Sequence, residues 1–216
     1  MNVVLDNLPL FGDGIIRTLS ICAFGAIGAF LLGAFVATLR VSPVPILRGF
    51  GTGWVQIMQN CPLAVVLFLI AFGLPEIGLR GSYFWFGVTG LALYTSAFVC
   101  ESIRSGINSV ALGQMEAARA LGMSFGMNLR LVILPQAVRV TVPPLANTTI
   151  AMIKDSAIVG AIGVGGDLFS VADTLAASRG LAVVPVLLGV TVGYLLIILP
   201  TSFVFKRVEN RMVVAA

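Results

Sequence analysis

The chain has 216 residues, 58% hydrophobic and only 10% charged, with a mean hydropathy of +1.05. A soluble domain carries about 25% charged residues, so this composition excludes an ordinary water-soluble core and makes lipid the natural solvent. The net charge of +4 comes without a Lys/Arg cluster interleaved with aromatics, which argues against a nucleic-acid partner and for basic cytoplasmic loops.

The opening residues, MNVVLDNLPLFGDG, lack the basic start of a secretory signal. The first apolar run is therefore expected to be a retained span over 15–39. Arg17 and Arg40 can snorkel at its two ends, and Gly25, Ala26, Gly28, Ala29 and Gly33 let another helix approach closely. Prolines and glycines then punctuate RVSPVPILRGFGTG as a loop, followed by a short interfacial helix over 53–59 anchored by Trp54. The second span is placed at 60–78. Its apolar part is too short alone, and Pro62 starts or kinks it. The third, 83–104, opens with Tyr83, Phe84, Trp85 and Phe86 at a membrane interface.

A polar, alanine-rich loop over 113–135 follows. The fourth span, 137–153, is interrupted by Pro143-Pro144 and Asn147-Thr148-Thr149. Such interruptions are tolerated only where protein or a water-filled cavity re-satisfies the backbone. The glycine-broken stretch from Lys154 to Gly180 reads as a short re-entrant helix and then an external amphipathic one. The last span, 183–205, ends at Lys206-Arg207. The prediction is an all-α, polytopic membrane protein of about five transmembrane helices, forming a single transmembrane domain over 1–216 without internal duplication.

An odd number of spans puts the termini on opposite sides. With the C-terminus inside, Arg40, Arg48, Arg104, Arg119, Arg130, Arg139, Lys206, Arg207 and Arg211 face the cytoplasm and only Arg17, Arg80, Lys154 and Arg179 face outward. The asymmetry predicts N-outside, C-inside. Cys22, Cys61 and Cys100 lie in or beside apolar runs with no metal or disulfide spacing, and read as small packing residues. Histidine is absent, which removes His-based nucleophile activation, metal ligation and proton relays. No catalytic residue and no metal site is predicted.

The loop over 113–135 carries the most specific pattern. Gln114 to Leu121 is rich in good helix formers, Glu116 suits the positive end of the helix dipole, and Gly122 is a natural C-terminal stop. A second short helix is expected from Phe125 to Leu131, before Pro135. The order Glu116-Ala117-Ala118, Gly122, Val132, Leu134-Pro135 resembles the coupling motif of ABC-importer permeases, with Val132 where isoleucine is more usual. The runs QNCPLAVVLFLIAFGLP, YTSAFVCESIRSGINSVALGQMEAARALGMSFG and ILPQAVRVTVPPLANTTIAMIKDSAIVGAIGVG are similar to permeases for polar amino acids, and most of all to actinobacterial glutamate permeases. Gln59-Asn60-Cys61 stands where that family has Arg-Gly-Thr or Arg-Asn-Thr, so no role of that arginine or threonine carries over.

The resemblance implies a type I ABC-importer permease fold in a bacterial cytoplasmic membrane. It implies a cytosolic ABC ATPase dimer, an external substrate-binding protein and a second permease subunit, with a heterodimer favoured over a homodimer. ATP and Mg2+ would sit on the ATPase, because this chain lacks the Gly-x-x-x-x-Gly-Lys-Ser/Thr loop that cradles phosphates; the permease itself would carry no cofactor. Glu116, Ala117, Ala118, Gly122, Leu134 and Pro135 would couple it to the ATPase.

Intramembrane polar residues are the default candidates for a substrate path. Glu101 and Arg104 are one turn apart and can pair, structurally or as part of a gate. Asn147 and Thr148 either bond to neighbouring helices or line the path. Lys154, Asp155 and Ser156 follow: Lys154 would attract an acidic side chain and Asp155 a substrate ammonium, or the two snorkel to water. A stand-alone ion-coupled carrier or channel would explain the interrupted helix equally well; the coupling motif argues against it. A membrane-embedded scaffold would need no cavity at all.

Overall fold

The computed structural model describes residues 3–214, and every regular element among them is helical. A 3-10 turn, Leu5–Asn7, leads into α1, Leu8–Arg40. Its 33 residues make about 50 Å of helix at 1.5 Å per residue, well over the roughly 30 Å of a hydrocarbon core. One small-residue stripe, Gly25, Ala29 and Gly33, is buried. A Cβ at Gly33 would lie 2.7 Å from both the Ser96 carbonyl and Val99 of α4 (Tyr83–Asn108), so the missing side chains set how closely these helices pack.

The chain then differs from the sequence expectation. The proline- and glycine-rich stretch forms a helix, α2, Pro45–Asn60, of which the predicted 53–59 helix is only the second half. Pro45 sits in the first turn, where its missing N–H costs nothing. Gly51 lets α2 lie on the end of α1, since a Cβ there would be 2.8 Å from the Arg40 side chain. Trp54 is half-buried and its indole N–H donates to Ser96 Oγ at 3.1 Å, a contact with α4 rather than an interfacial anchor. Cys61 and Pro62 adopt extended backbone angles, and the chain turns by 104° into α3, Leu63–Glu76. The turn follows from proline, which disfavours helical angles in the residue before it. Among the described residues, four helices are each long and apolar enough to cross a membrane, and the bent pair α2–α3 makes a fifth span if its two halves cross as one.

Helix α4 lies at the centre and packs against α1, α2, α3 and the later α6. A short helix, α5, Leu112–Ala120, connects it to α6, Phe125–Ala161. No break separates the predicted helix at 125–131 from the fourth span. A π-helical stretch, Leu129–Ile133, shifts the hydrogen-bond register directly in front of Pro135, which lets the helix pass a residue that cannot donate. Pro143 and Pro144 lie inside the same helix. The Thr141, Thr148 and Thr149 hydroxyls donate to the carbonyls of Ala137, Pro144 and Leu145, four residues back in each case, at 2.7, 2.9 and 2.8 Å.

The stretch from Lys154 to Gly180, expected as a re-entrant helix and then an amphipathic one, opens instead by continuing α6 to Ala161. Residues 162–169 form a loop in which Gly163, Gly165 and Gly166 take positive φ, the conformation open to glycine. A short helix, α7, spans 170–178, and α8, Val183–Val214, closes the fold. One core joins α1, α3, α4, α6 and the loop through Ile21, Leu67, Leu91, Met152 and Val164. A second joins the start of α1, α7 and α8 through Phe11, Leu168, Leu175 and Val186.

Candidate functional site

Helix α5 ends as its sequence dictates. The Met123 N–H donates to the Ala118 carbonyl at 3.1 Å and the Gly122 N–H to the Arg119 carbonyl at 2.9 Å, with Gly122 at a φ of +77°. This is a glycine-terminated helix end in which the left-handed residue satisfies the last carbonyls. Two side chains of α6 hold α5 from below: Asn128, buried, donates from Nδ2 to the Met115 carbonyl at 3.2 Å, and Gln136 donates from Nε2 to Gln114 Oε1. Ala118 is the one buried residue of α5. Glu116, Ala117 and Gly122 are exposed, as are Leu134 and Pro135 on α6. Large apolar side chains stand free beside them, Leu121 at 83% and Phe125 at 74% exposure. The six motif residues thus share one end of the fold.

Glu101 lies near the same end. It accepts from Arg104 of its own helix, at 3.1 Å through Nε, and from Arg40 at the C-terminal end of α1. The carboxylate is a tie between α1 and α4, flanked by two guanidinium groups. It does not line the cavity described next.

A cavity of about 320 Å³ opens between the middle of α4 and the C-terminal half of α6. From α4 it takes Tyr94, Thr95 and Phe98, and from α6 Asn147, Thr148, Ala151, Met152 and Asp155. The α6 residues 147, 148, 151 and 155 recur at helical spacing and form one face. Tyr94 and Phe98, one turn apart, form an aromatic wall with ring centroids 5.3 Å apart. Asp155 has no salt-bridge partner among the described residues. The structure therefore gathers Asn147, Thr148 and Asp155 from the sequence-derived set. Lys154 is exposed and outside the lining. Ser156 is fully buried on another side of α6 and donates to the Ile153 carbonyl at 2.7 Å. Tyr94, Thr95, Phe98, Ala151 and Met152 were not legible as site residues. The only signal was the four-residue spacing of two aromatics within a long apolar run.

The loop 162–169 is tied into the bundle. Asp167, fully buried, accepts from the Tyr194 hydroxyl at 2.8 Å and from the Ser170 hydroxyl at 3.0 Å and its N–H at 3.3 Å. Burial pushes its carboxyl above the usual carboxylate range, and these hydrogen bonds pull it back down. The Leu168 N–H donates to Thr18 Oγ1 at 2.9 Å.

The comparisons give this arrangement its context. Residues 29–214 match the profile of the binding-protein-dependent transport system inner membrane component. The chain belongs to that family. It is 38% identical to a probable glutamine ABC transporter permease protein, GlnM, of Bacillus subtilis, over 98% of this chain and 97% of the relative. It is also 38% identical to the glutamate transport system permease protein GluC of Corynebacterium glutamicum, over 91% of each. A crystal structure of an amino acid ABC transporter with histidines superposes with a TM-score of 0.90 at 35% identity, covering 96% of both chains. The chain therefore has the type I ABC-importer fold and is a multi-pass cell-membrane protein, a permease component of an ABC transporter.

Proposed function

We propose that this permease is one half of the translocation path of an ATP-driven importer for polar amino acids of the glutamate–glutamine class, and that the α4–α6 cavity is its substrate site. The observation that carries the reading is Asp155: a carboxylate with no ion-pair partner among the described residues, facing a cavity between two membrane-spanning helices. Such a group is costly in a membrane unless it has work to do. Asp155 holds the substrate ammonium; Asn147 and Thr148 offer polar contacts to the carboxylate or side chain; Tyr94 and Phe98 cover the aliphatic part. The names of the relatives, glutamine and glutamate permeases, support the same class.

Within that class the lining favours a neutral side chain. Asp155 is its single charged residue, and Lys154 lies outside it. An anionic side chain would meet that carboxylate inside the cavity, while the Lys154 ammonium next to it in the chain stays outside the lining.

The exposed face of α5, with Glu116 and Ala117 on it, Gly122, Leu134 and Pro135 around it and Ala118 packed beneath it, docks the cytosolic ATPase dimer. ATP and Mg2+ bind on that partner and the permease carries no cofactor. An external binding protein delivers the amino acid, a second and different permease subunit supplies the other half of the path, and lipid surrounds the pair. The N-terminus lies outside and the C-terminus in the cytoplasm.

The test is uptake by the reconstituted complex of radiolabelled glutamine in competition with glutamate and arginine, for wild type and Asp155→Asn. Glutamine is expected to compete best, and Asp155→Asn to lower uptake about tenfold, the scale of one lost charge-assisted contact. Unchanged uptake in Asp155→Asn removes the cavity assignment, and uptake without the ATPase removes the importer reading in favour of a carrier.

A further inference from the structure

The helix that carries the cavity face is gripped on its other side by a buried polar knot. Asp155 faces the cavity, whereas Ser156, one residue and about 100° further round the helix, is fully buried. Thr18 Oγ1 accepts from the Leu168 N–H, and the Tyr194 hydroxyl donates to the neighbouring Asp167. The knot draws on α1 (Thr18), α6 (Gly160), the 162–169 loop (Asp167) and α8 (Tyr194).

The backbone is shaped to admit this knot. A Cβ on Gly160 would lie 1.7 Å from Asp167 Oδ1, so α6 presents bare backbone to the carboxylate. Gly193 of α8 and Gly14 of α1 do the same for Leu168, at 2.6 and 2.9 Å. The loop is therefore wedged between three helices, with glycine at each of these contacts. A buried carboxylate without an ion-pair partner is costly. Here three hydrogen bonds satisfy it, two from Ser170 of α7 and one from Tyr194 of α8, and they hold the carboxylate against the bare backbone of α6 at Gly160.

We propose that Asp167, through Tyr194, is a positioning residue for the cavity. The bond locks the rotation of the outer third of α6, and so holds Ala151 and Asp155 toward the cavity and Ser156 and Gly160 toward the knot. The proposal rests on the cavity reading given above. Neither side chain lines the cavity; both act through α6.

The test uses the assembled importer, with its ATPase and binding protein, in lipid nanodiscs. Tyr194→Phe keeps the ring and removes the hydroxyl. It is expected to raise the KM for radiolabelled glutamine about tenfold, the scale of one hydrogen bond to a carboxylate, with kcat held within about twofold. Asp167→Asn keeps the shape with one acceptor fewer and is expected to raise KM about threefold; it serves as the reading if Tyr194→Phe does not assemble. A second readout is independent of substrate. A single cysteine at Ala151, with Cys61→Ser and the buried Cys22 and Cys100 left in place, is alkylated by a hydrophilic maleimide. Its rate is expected to change severalfold when Tyr194→Phe is added. Unchanged KM together with unchanged alkylation overturns the proposal, and so does a fall in kcat alone, which would make the knot a purely structural tie. If Asp155→Asn transports normally while alkylation shifts with Tyr194→Phe, the positioning stands and the cavity assignment falls.

Discussion

Replacing Gly106 by alanine would drive a methyl group between α4 and α6 just before the chain leaves for α5. The added Cβ would lie 1.8 Å from Thr141 Oγ1, 2.8 Å from the Ala137 carbonyl oxygen and 3.0 Å from Thr141 Cβ. Rotation of Thr141 can relieve the first contact only by giving up its 2.7 Å hydrogen bond to the Ala137 carbonyl. The second contact is with backbone and cannot rotate away. It falls 0.6 Å short of the 3.4 Å at which ordinary van der Waals contact begins (3.4 − 2.8). The helices must separate locally, an overpacking that costs about 2 kcal/mol. For a chain of this size that lowers Tm by about 6 °C. Because Asn108 ends α4 three residues before α5 begins its approach, the same wedge tilts the coupling segment and lowers substrate-stimulated ATPase activity. The assay is thermal unfolding of the purified complex, with ATPase rates measured in parallel. Thr141→Ala removes the worst clash and is expected to restore part of both losses in the double variant. A Gly106→Ala complex melting within about 1 °C of wild type would refute the close-packing argument, as would a double variant no better than the single one.

Gly122→Asp places a side chain at a φ of +77° and charge at the α5 turn. It is expected to leave the complex assembled but to uncouple hydrolysis from uptake, read as ATPase activity without transport; normal stimulated uptake would remove the docking assignment. Single cysteines at Gly12 and at Asn210, in a Cys61→Ser background, test the orientation. An impermeant thiol reagent on intact cells is expected to label the first and spare the second. Lys154→Ala is expected to leave glutamine uptake within about twofold of wild type, because the side chain is exposed and outside the cavity lining; a tenfold loss would place that ammonium in the path after all.

The sequence made the all-α membrane architecture legible because hydropathy and small-residue spacing are local properties. Gly25, Ala29 and Gly33 read as a contact stripe and are one. What it hid depended on partners distant in the chain. The stretch before Asn60 reads as a loop by its prolines and glycines, yet folds as α2 because Gly51 can sit on Arg40 and Trp54 can reach Ser96. Pro135 reads as a stop, yet the π-helical stretch before it carries the helix through. The α6 side of the cavity was half visible, since Asn147, Thr148 and Asp155 are polar residues in an apolar run. The α4 side was invisible, since Tyr94 and Phe98 differ from packing aromatics only by what stands opposite them. Asp167 attracted no attention because nothing in the sequence announces Tyr194 as its partner 27 residues on.

One helix connects all of these places, and that constrains how a stroke at α5 could reach substrate. Asn128 and Gln136 fasten α5 to the base of α6. Asp155 lies 27 residues above Asn128, about 40 Å along the same helix. The knot around Asp167 holds its far end. A helix fixed at both ends transmits displacement as rotation or bending, and bending concentrates where backbone hydrogen bonds are missing. In α6 such places are Pro135 with the π-helical stretch before it, and Pro143-Pro144 directly below Asn147 and Thr148. Motion at the ATPase end would therefore change the tilt of α6 below the cavity while the knot keeps its outer third in register. The cavity would open at its cytoplasmic side and hold at its external side, which is the asymmetry that release into the cytoplasm requires.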